Sequence, residues 1–161
     1  MKKIITLMAV LGLTFSCSKK TKDTYSYTFQ ENAELTILPI NEDSYMKNST
    51  IENGNNIVFT YEYIADDAEI IADDEYSEII RFEIEPGLTE FNYTDEELSA
   101  ISTVYSEYCF CAFFDESKNT SPKGSISGKK ISETQWDITI DVIFYTDDIK
   151  YVSNVFTLKE N

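Results

Sequence analysis

The chain has 161 residues, with 13 Lys and Arg against 29 Asp and Glu, no histidine and three cysteines, giving a formal net charge of −16. That length fits one domain with a moderate core, and so negative a charge argues against nucleic acid as a partner, because phosphate backbones are repelled. Zero histidine removes the commonest general base, the usual metal ligand and any imidazole pH switch, while the 11 Tyr, 10 Phe and one Trp argue against a disordered acidic chain.

The first segment reads as an address. Lys2 and Lys3 precede an apolar run from Ile4 to Leu13, broken only by Thr6 and Gly12. Ten residues rise roughly 15 Å as a helix, about half the hydrocarbon core of a bilayer, so the run reads as a secretory h-region rather than a span. It ends in Leu13-Thr14-Phe15-Ser16-Cys17. A small residue followed by Cys directly after a short h-region resembles the lipobox of bacterial lipoproteins. Thr14 stands where Leu is usual, and that looseness is similar to lipoboxes of the Bacteroidetes type. The resemblance covers residues 1–17 and implies cleavage before Cys17, lipidation of its thiol and anchoring in a membrane. Ser18, in place of the aspartate of an inner-membrane retention signal, points to the outer membrane. A diacylglyceryl group supplies the two chains that stable anchoring requires. The expected organisation is therefore a signal peptide over 1–16, a lipidated Cys17 with a tether over 17–23, and one β-rich domain over 24–161. The tether reaches at most roughly 20 Å.

Alternation dominates the mature chain. Ile57 to Tyr63 places apolar or aromatic side chains at odd positions, and Ile80, Phe82 and Ile84 alternate with Arg81, Glu83 and Glu85 before Pro86-Gly87. Trp136, Ile138, Ile140, Val142 and Phe144 give the clearest period of two. Such patterns predict strands with one dry and one wet face. Weaker strands are expected over 25–30, 34–39, 107–114, 124–132 and 150–158, with a hairpin turning near Glu133-Thr134 and a bulge between Ile126 and Ile131. Thr94-Asp95-Glu96-Glu97 fits a capping box and predicts a helix with Leu98, Ile101 and Val104 or Tyr105 on one face. About eight strands and one short helix predict a mainly antiparallel, two-sheet β-sandwich. A closed β-barrel is the alternative.

Charge and cysteines mark the candidate sites. Residues 62–97 hold 14 Asp and Glu against the lone Arg81. Within them, the near-repeat Ile64-Ala65-Asp66-Asp67 and Ile71-Ala72-Asp73-Asp74 offers hard oxygen ligands, with Glu75, for calcium. No D-x-[DN]-x-[DN]-G loop accompanies it, so a solvated acidic loop or edge hairpin is the favoured reading of the same residues. In Tyr108-Cys109-Phe110-Cys111-Ala112-Phe113-Phe114 the cysteines share one strand face about 6.6 Å apart, the upper edge of disulfide geometry. A central buried strand with two thiols as small hydrophobes is the favoured reading; a disulfide comes next, and redox or metal chemistry last.

Catalysis finds no support. A Ser/His/Asp arrangement needs histidine, no G-x-S-x-G occurs, and Gly124 and Gly128 are isolated within a predicted strand. A single arginine argues against anion recognition. No cofactor and no metal ligand set is expected. The leading expectation is a monomeric, non-enzymatic binding module on a membrane surface, with a protein or glycan partner and an exposed apolar or aromatic patch. Tyr25, Tyr27, Tyr45 and Tyr151 are the tyrosines available for sugar stacking, against a tyrosine-rich core. The alternatives are a carrier of a small apolar ligand in a barrel cavity and a calcium-stabilised surface module.

Overall fold

The computed structural model describes residues 22–38, 47–66, 76–109 and 120–159; the leader, Cys17, Tyr45, residues 67–75 and residues 110–119 lie outside them. In chain order the elements are β1 (Thr24–Leu38), β2 (Asn48–Ile64), β3 (Tyr76–Ile84), β4 (Glu90–Thr94), α1 (Glu96–Ala100), β5 (Val104–Cys109), β6 (Lys123–Ser132), β7 (Gln135–Phe144) and β8 (Asp148–Leu158). The domain is all-β and mainly antiparallel with one short helix, as the alternation predicts.

All eight strands join one hydrogen-bonded sheet in the order β4-β6-β7-β8-β1-β2-β3-β5. Every neighbouring pair is antiparallel except β1 with β8, which run parallel and pair only at Thr28 with Thr157 and Phe29 with Leu158. The sheet is thus two four-stranded halves stitched by a short seam. The halves face each other. In a flat sheet β2 and β4, five places apart, would be separated by about 24 Å; instead the rings of Phe59 and Phe91 lie 6.1 Å apart. The two layers of the expected sandwich are these two halves. The edge strands β4 and β5 do not pair with each other, so the sheet stays open and the closed barrel does not form.

Aromatic rings fill the space between the halves. Phe59 stacks on Phe82 at 4.9 Å and meets Trp136 edge-on at 5.6 Å, while Phe29 and Phe156 complete its surroundings. Phe29, Phe59, Phe82, Trp136 and Phe156 are essentially fully buried. Pairs of this kind contribute about 0.5–1.5 kcal/mol each beyond the area they remove from water. The sheet is not closed, so the barrel that the apolar-ligand carrier presupposes does not form.

Three local differences from the sequence expectations have physical causes. Residues 25–30 and 34–38 belong to one long strand, β1, residue 39 lying outside the described residues, and its pairing with β2 slips at Ala33, opposite both Asn53 and Asn56. Asn32 adopts a left-handed φ of 55° there. This irregularity bends the outer part of the β1–β2 hairpin and turns Ala33 and Leu35 towards the face opposite Phe29. The helix spans only Glu96–Ala100, and Val104 and Tyr105 open β5 instead of extending it. Ser102 at φ 53° stops it. The Thr103 N–H then reaches the Leu98 carbonyl oxygen and the Ser102 N–H that of Ser99, the double closure of a Schellman motif. Of the capping box only the carboxylate half forms: Glu97 Oε2 accepts from the Thr94 N–H at 2.9 Å, and the cap position itself is Asp95. Third, among the described residues β5 is an edge strand rather than a central one, and residues 110–114 of the strand expected over 107–114 lie outside them. The β6–β7 hairpin turns at Glu133-Thr134, and its register slips between Lys130 and Ser132, inside the stretch where a bulge is expected.

Candidate functional site

Strand parity brings tyrosines to one end of the inner face. Tyr25 pairs with Tyr63 and Tyr27 with Tyr61 across β1 and β2, and Tyr61 and Tyr63 lie opposite Ile80 and Glu78 of β3. The Tyr25 and Tyr63 rings are 5.0 Å apart, and Tyr63 meets Tyr76 at 6.1 Å. Tyr27 packs edge-on against Phe156 and so belongs to the core, whereas Tyr25 is 52% exposed. The row Tyr25, Tyr63, Tyr76 therefore runs from open solvent to the buried Tyr105.

A partly buried ion pair sits at the inner end of this row. Lys150 Nζ of β8 lies 2.6 Å from Glu78 Oε1 of β3, linking the two halves of the sheet. Their side chains are only 18% and 12% exposed. The Tyr76 hydroxyl donates to the same Glu78 oxygen. Lys150 Nζ also stands 4.6 Å from the centre of the Tyr105 ring, a cation–π contact. Behind it the Tyr145 hydroxyl donates to the Tyr105 carbonyl oxygen at 2.6 Å. Every charge on this clasp is answered from within the chain.

Five phenols here, Tyr61, Tyr63, Tyr76, Tyr105 and Tyr145, are held in the neutral form. Burial, assisted by the Glu78 charge, pushes Tyr61 up to about 12. Burial likewise raises Tyr76, Tyr105 and Tyr145 above the ordinary phenol value. Tyr63 is raised by desolvation and by the Asp23 carboxylate beside it. Both causes disfavour a phenolate: lost water and nearby negative charge. The end is thus aromatic, uncharged in its rings and flanked by carboxylates.

The residues singled out in the sequence distribute unevenly. Cys109 closes β5 and is disulfide-bonded, which corrects the reading of a free thiol packed as a small hydrophobe in a central strand. Cys111 lies outside the described residues, as do Cys17 and Tyr45. The proposed calcium ligands Asp67, Asp73, Asp74 and Glu75 lie outside them too, while the Asp66 N–H donates to Asp23 Oδ1. Among the described residues no group of three or more Cys, Asp or Glu is placed to hold a metal ion. Tyr151 is 69% exposed on the opposite face, near Ile149 at 69% and its cross-strand partner Ile143 on β7.

No protein-family model, no curated protein and no solved structure matches this chain. The site therefore rests on its own geometry. Sequence reasoning missed Glu78 and Lys150, although a signal existed. Glu78 is in phase with Ile80, Phe82 and Ile84, and Lys150 with Val152 and Phe156: each is a charge on a dry face.

Proposed function

We propose that the chain is a lipid-anchored, non-catalytic binding module of the bacterial cell envelope, held at the outer membrane through Cys17, whose tyrosine-lined end takes a cationic segment of another protein. The observation that carries this reading is the graded row Tyr25, Tyr63 and Tyr76, set among Asp23, Glu78 and Glu107. An ammonium or guanidinium over such rings gains about 0.5–1 kcal/mol when exposed and about 2 when desolvated. Lys150 already uses the same chemistry from inside, held between the Tyr105 ring and Glu78. The acidic mature chain draws cations towards this end before contact. β1 begins at Thr24, seven residues after Cys17, so a tether of at most roughly 20 Å keeps the tyrosines close to the bilayer surface.

Two measurements test the proposal. In cells making the full chain, Cys17→Ala is expected to move the protein from the membrane fraction to the soluble one; a variant that stays membrane-bound defeats the anchor. The full chain purified in detergent is then titrated calorimetrically with a decalysine peptide. Tyr25→Ala combined with Tyr63→Ala is expected to weaken binding about 10-fold, the equivalent of roughly 1.4 kcal/mol. Unchanged affinity assigns the binding to diffuse negative charge and rules out the tyrosine end.

A further inference from the structure

The other face of β1, β2 and β3 carries a cavity unconnected with the tyrosine end. Past Ala33 the bent hairpin returns over this face, where Leu35 joins Val58 and Val104 in a small apolar cluster with Ile51 against it. Beside the cluster lies a cavity of about 240 Å³, its polar wall formed by Thr28, Gln30, Thr60, Glu62, Arg81 and Lys159. Drug-sized ligands need roughly 300 Å³ or more, so this space suits a molecule of few heavy atoms.

Arg81 is the only arginine in the chain. Its Nη1 donates to the Ser49 carbonyl oxygen at 2.6 Å and to Ser49 Oγ at 3.1 Å, which ties the guanidinium to the overlying hairpin. Its Nε–H is buried and has no acceptor among the described residues. Arg81 lines the cavity with its Nη1 already held by Ser49, so an acceptor entering the cavity meets a guanidinium fixed in place. A guanidinium fork matches a carboxylate better than any other small acceptor. Glu62 shares the wall and interacts with Arg81 electrostatically. A bare anion would face Glu62 unanswered, and a bare cation would face Arg81 and Lys159. A ligand carrying both charges answers all three, while the hydroxyls of Thr28 and Thr60 and the Gln30 amide supply neutral hydrogen bonds. Ile51 and Val58 leave an apolar wall for a short side chain.

We infer that this cavity binds a small zwitterion of the amino-acid type, its carboxylate held by Arg81 and Lys159 and its ammonium by Glu62. The inference is independent of the tyrosine end and reverses the reading of a lone arginine as evidence against anion recognition.

Calorimetric titration of the full chain in detergent tests it, with L-alanine, propionate and ethylamine as probes. L-Alanine is expected to bind at least 10-fold more tightly than either single-charge analogue. Arg81→Lys, which cannot reproduce the planar fork, is expected to lower L-alanine affinity at least 10-fold. Glu62→Gln is expected to bring L-alanine down to the level of propionate. Should Arg81→Lys fail to fold, Glu62→Gln at its partly exposed position decides alone. The inference is overturned if no probe gives heat at millimolar concentration, if L-alanine and propionate bind alike in the parent chain, or if L-alanine affinity is unchanged in the variants.

Discussion

Two charged side chains sit on strand positions that water barely reaches, and the chain treats them in opposite ways. On the inner face Lys150 meets Glu78, the Tyr105 ring and, through the shared carboxylate oxygen, Tyr76. On the outer face Arg81 is fixed at Nη1 by Ser49 but keeps a buried Nε–H without an acceptor among the described residues. Desolvation costs both, and in each case a charge must gain enough from its partners to offset it. The inner pair has its full complement inside the chain and so holds two half-sheets together. The outer guanidinium lacks an acceptor at Nε among the described residues, and its side chain lines open volume. A charge answered within the chain holds elements together; a charge that lines a cavity leaves room for a partner from outside.

Alkali is expected to break the inner region most completely. Below pH 10 the phenols of Tyr61, Tyr76, Tyr105 and Tyr145 are neutral in both folded and unfolded chains, and their stabilising contribution is whole. Above pH 10 the unfolded chain ionises first, because burial and Glu78 hold Tyr61 up to about 12 and raise the other three as well. Stability therefore falls as pH rises through that window. Absorbance at 295 nm should show a subset of the 11 tyrosines titrating only as circular dichroism reports unfolding. A single titration of all of them near pH 10, with the fold intact, would contradict the buried-phenol account.

Phe59→Ala comes next. Its ring touches those of Phe29, Phe82, Phe91, Trp136 and Phe156, drawn from both halves of the sheet. Truncation is expected to cost about 3–5 kcal/mol in urea denaturation. Lys150→Ala follows at about 3 kcal/mol, because it strands Glu78 without its counter-charge. The double variant Glu78→Gln with Lys150→Met is expected to recover to within about 1 kcal/mol of the parent, since neither charge then remains to be desolvated. Failure of the double variant to recover would show that packing, not charge pairing, sets the value of the clasp.

How much of this was legible beforehand follows the range of each interaction. Trp136 to Phe144 and Ile57 to Tyr63 declare their strands because alternation is local, and so does the turn at Glu133-Thr134. Even Glu78 and Lys150 betray themselves as charges in phase with apolar neighbours. Their pairing does not, because it depends on the β1–β8 seam, which joins Thr28 to Thr157 through two paired positions and leaves no local pattern. The site at Arg81 was least legible. Its burial is created by a slip at Ala33 that folds one hairpin over the sheet, and nothing in Ile80-Arg81-Phe82 distinguishes that arginine from one facing water.

The smallest expected effect is the one that separates the two regions. Arg81→Met removes the two bonds to Ser49 but also removes a partly desolvated charge whose Nε–H makes no bond among the described residues, and methionine fills much of the same volume. Net hydrogen bonds are worth about 0.5–1.5 kcal/mol, more to a charged donor, and relief of desolvation runs the other way. A loss of about 1 kcal/mol or less in urea denaturation is therefore expected, well below that of Lys150→Ala. Near-equal losses would mean that Arg81, like Lys150, is chiefly a clasp between elements, and the cavity beside it would lose its reason to hold a ligand. A small loss in stability combined with a large loss in L-alanine binding would place the two charges in different roles, one holding the two halves of the sheet together and the other kept for something outside the chain.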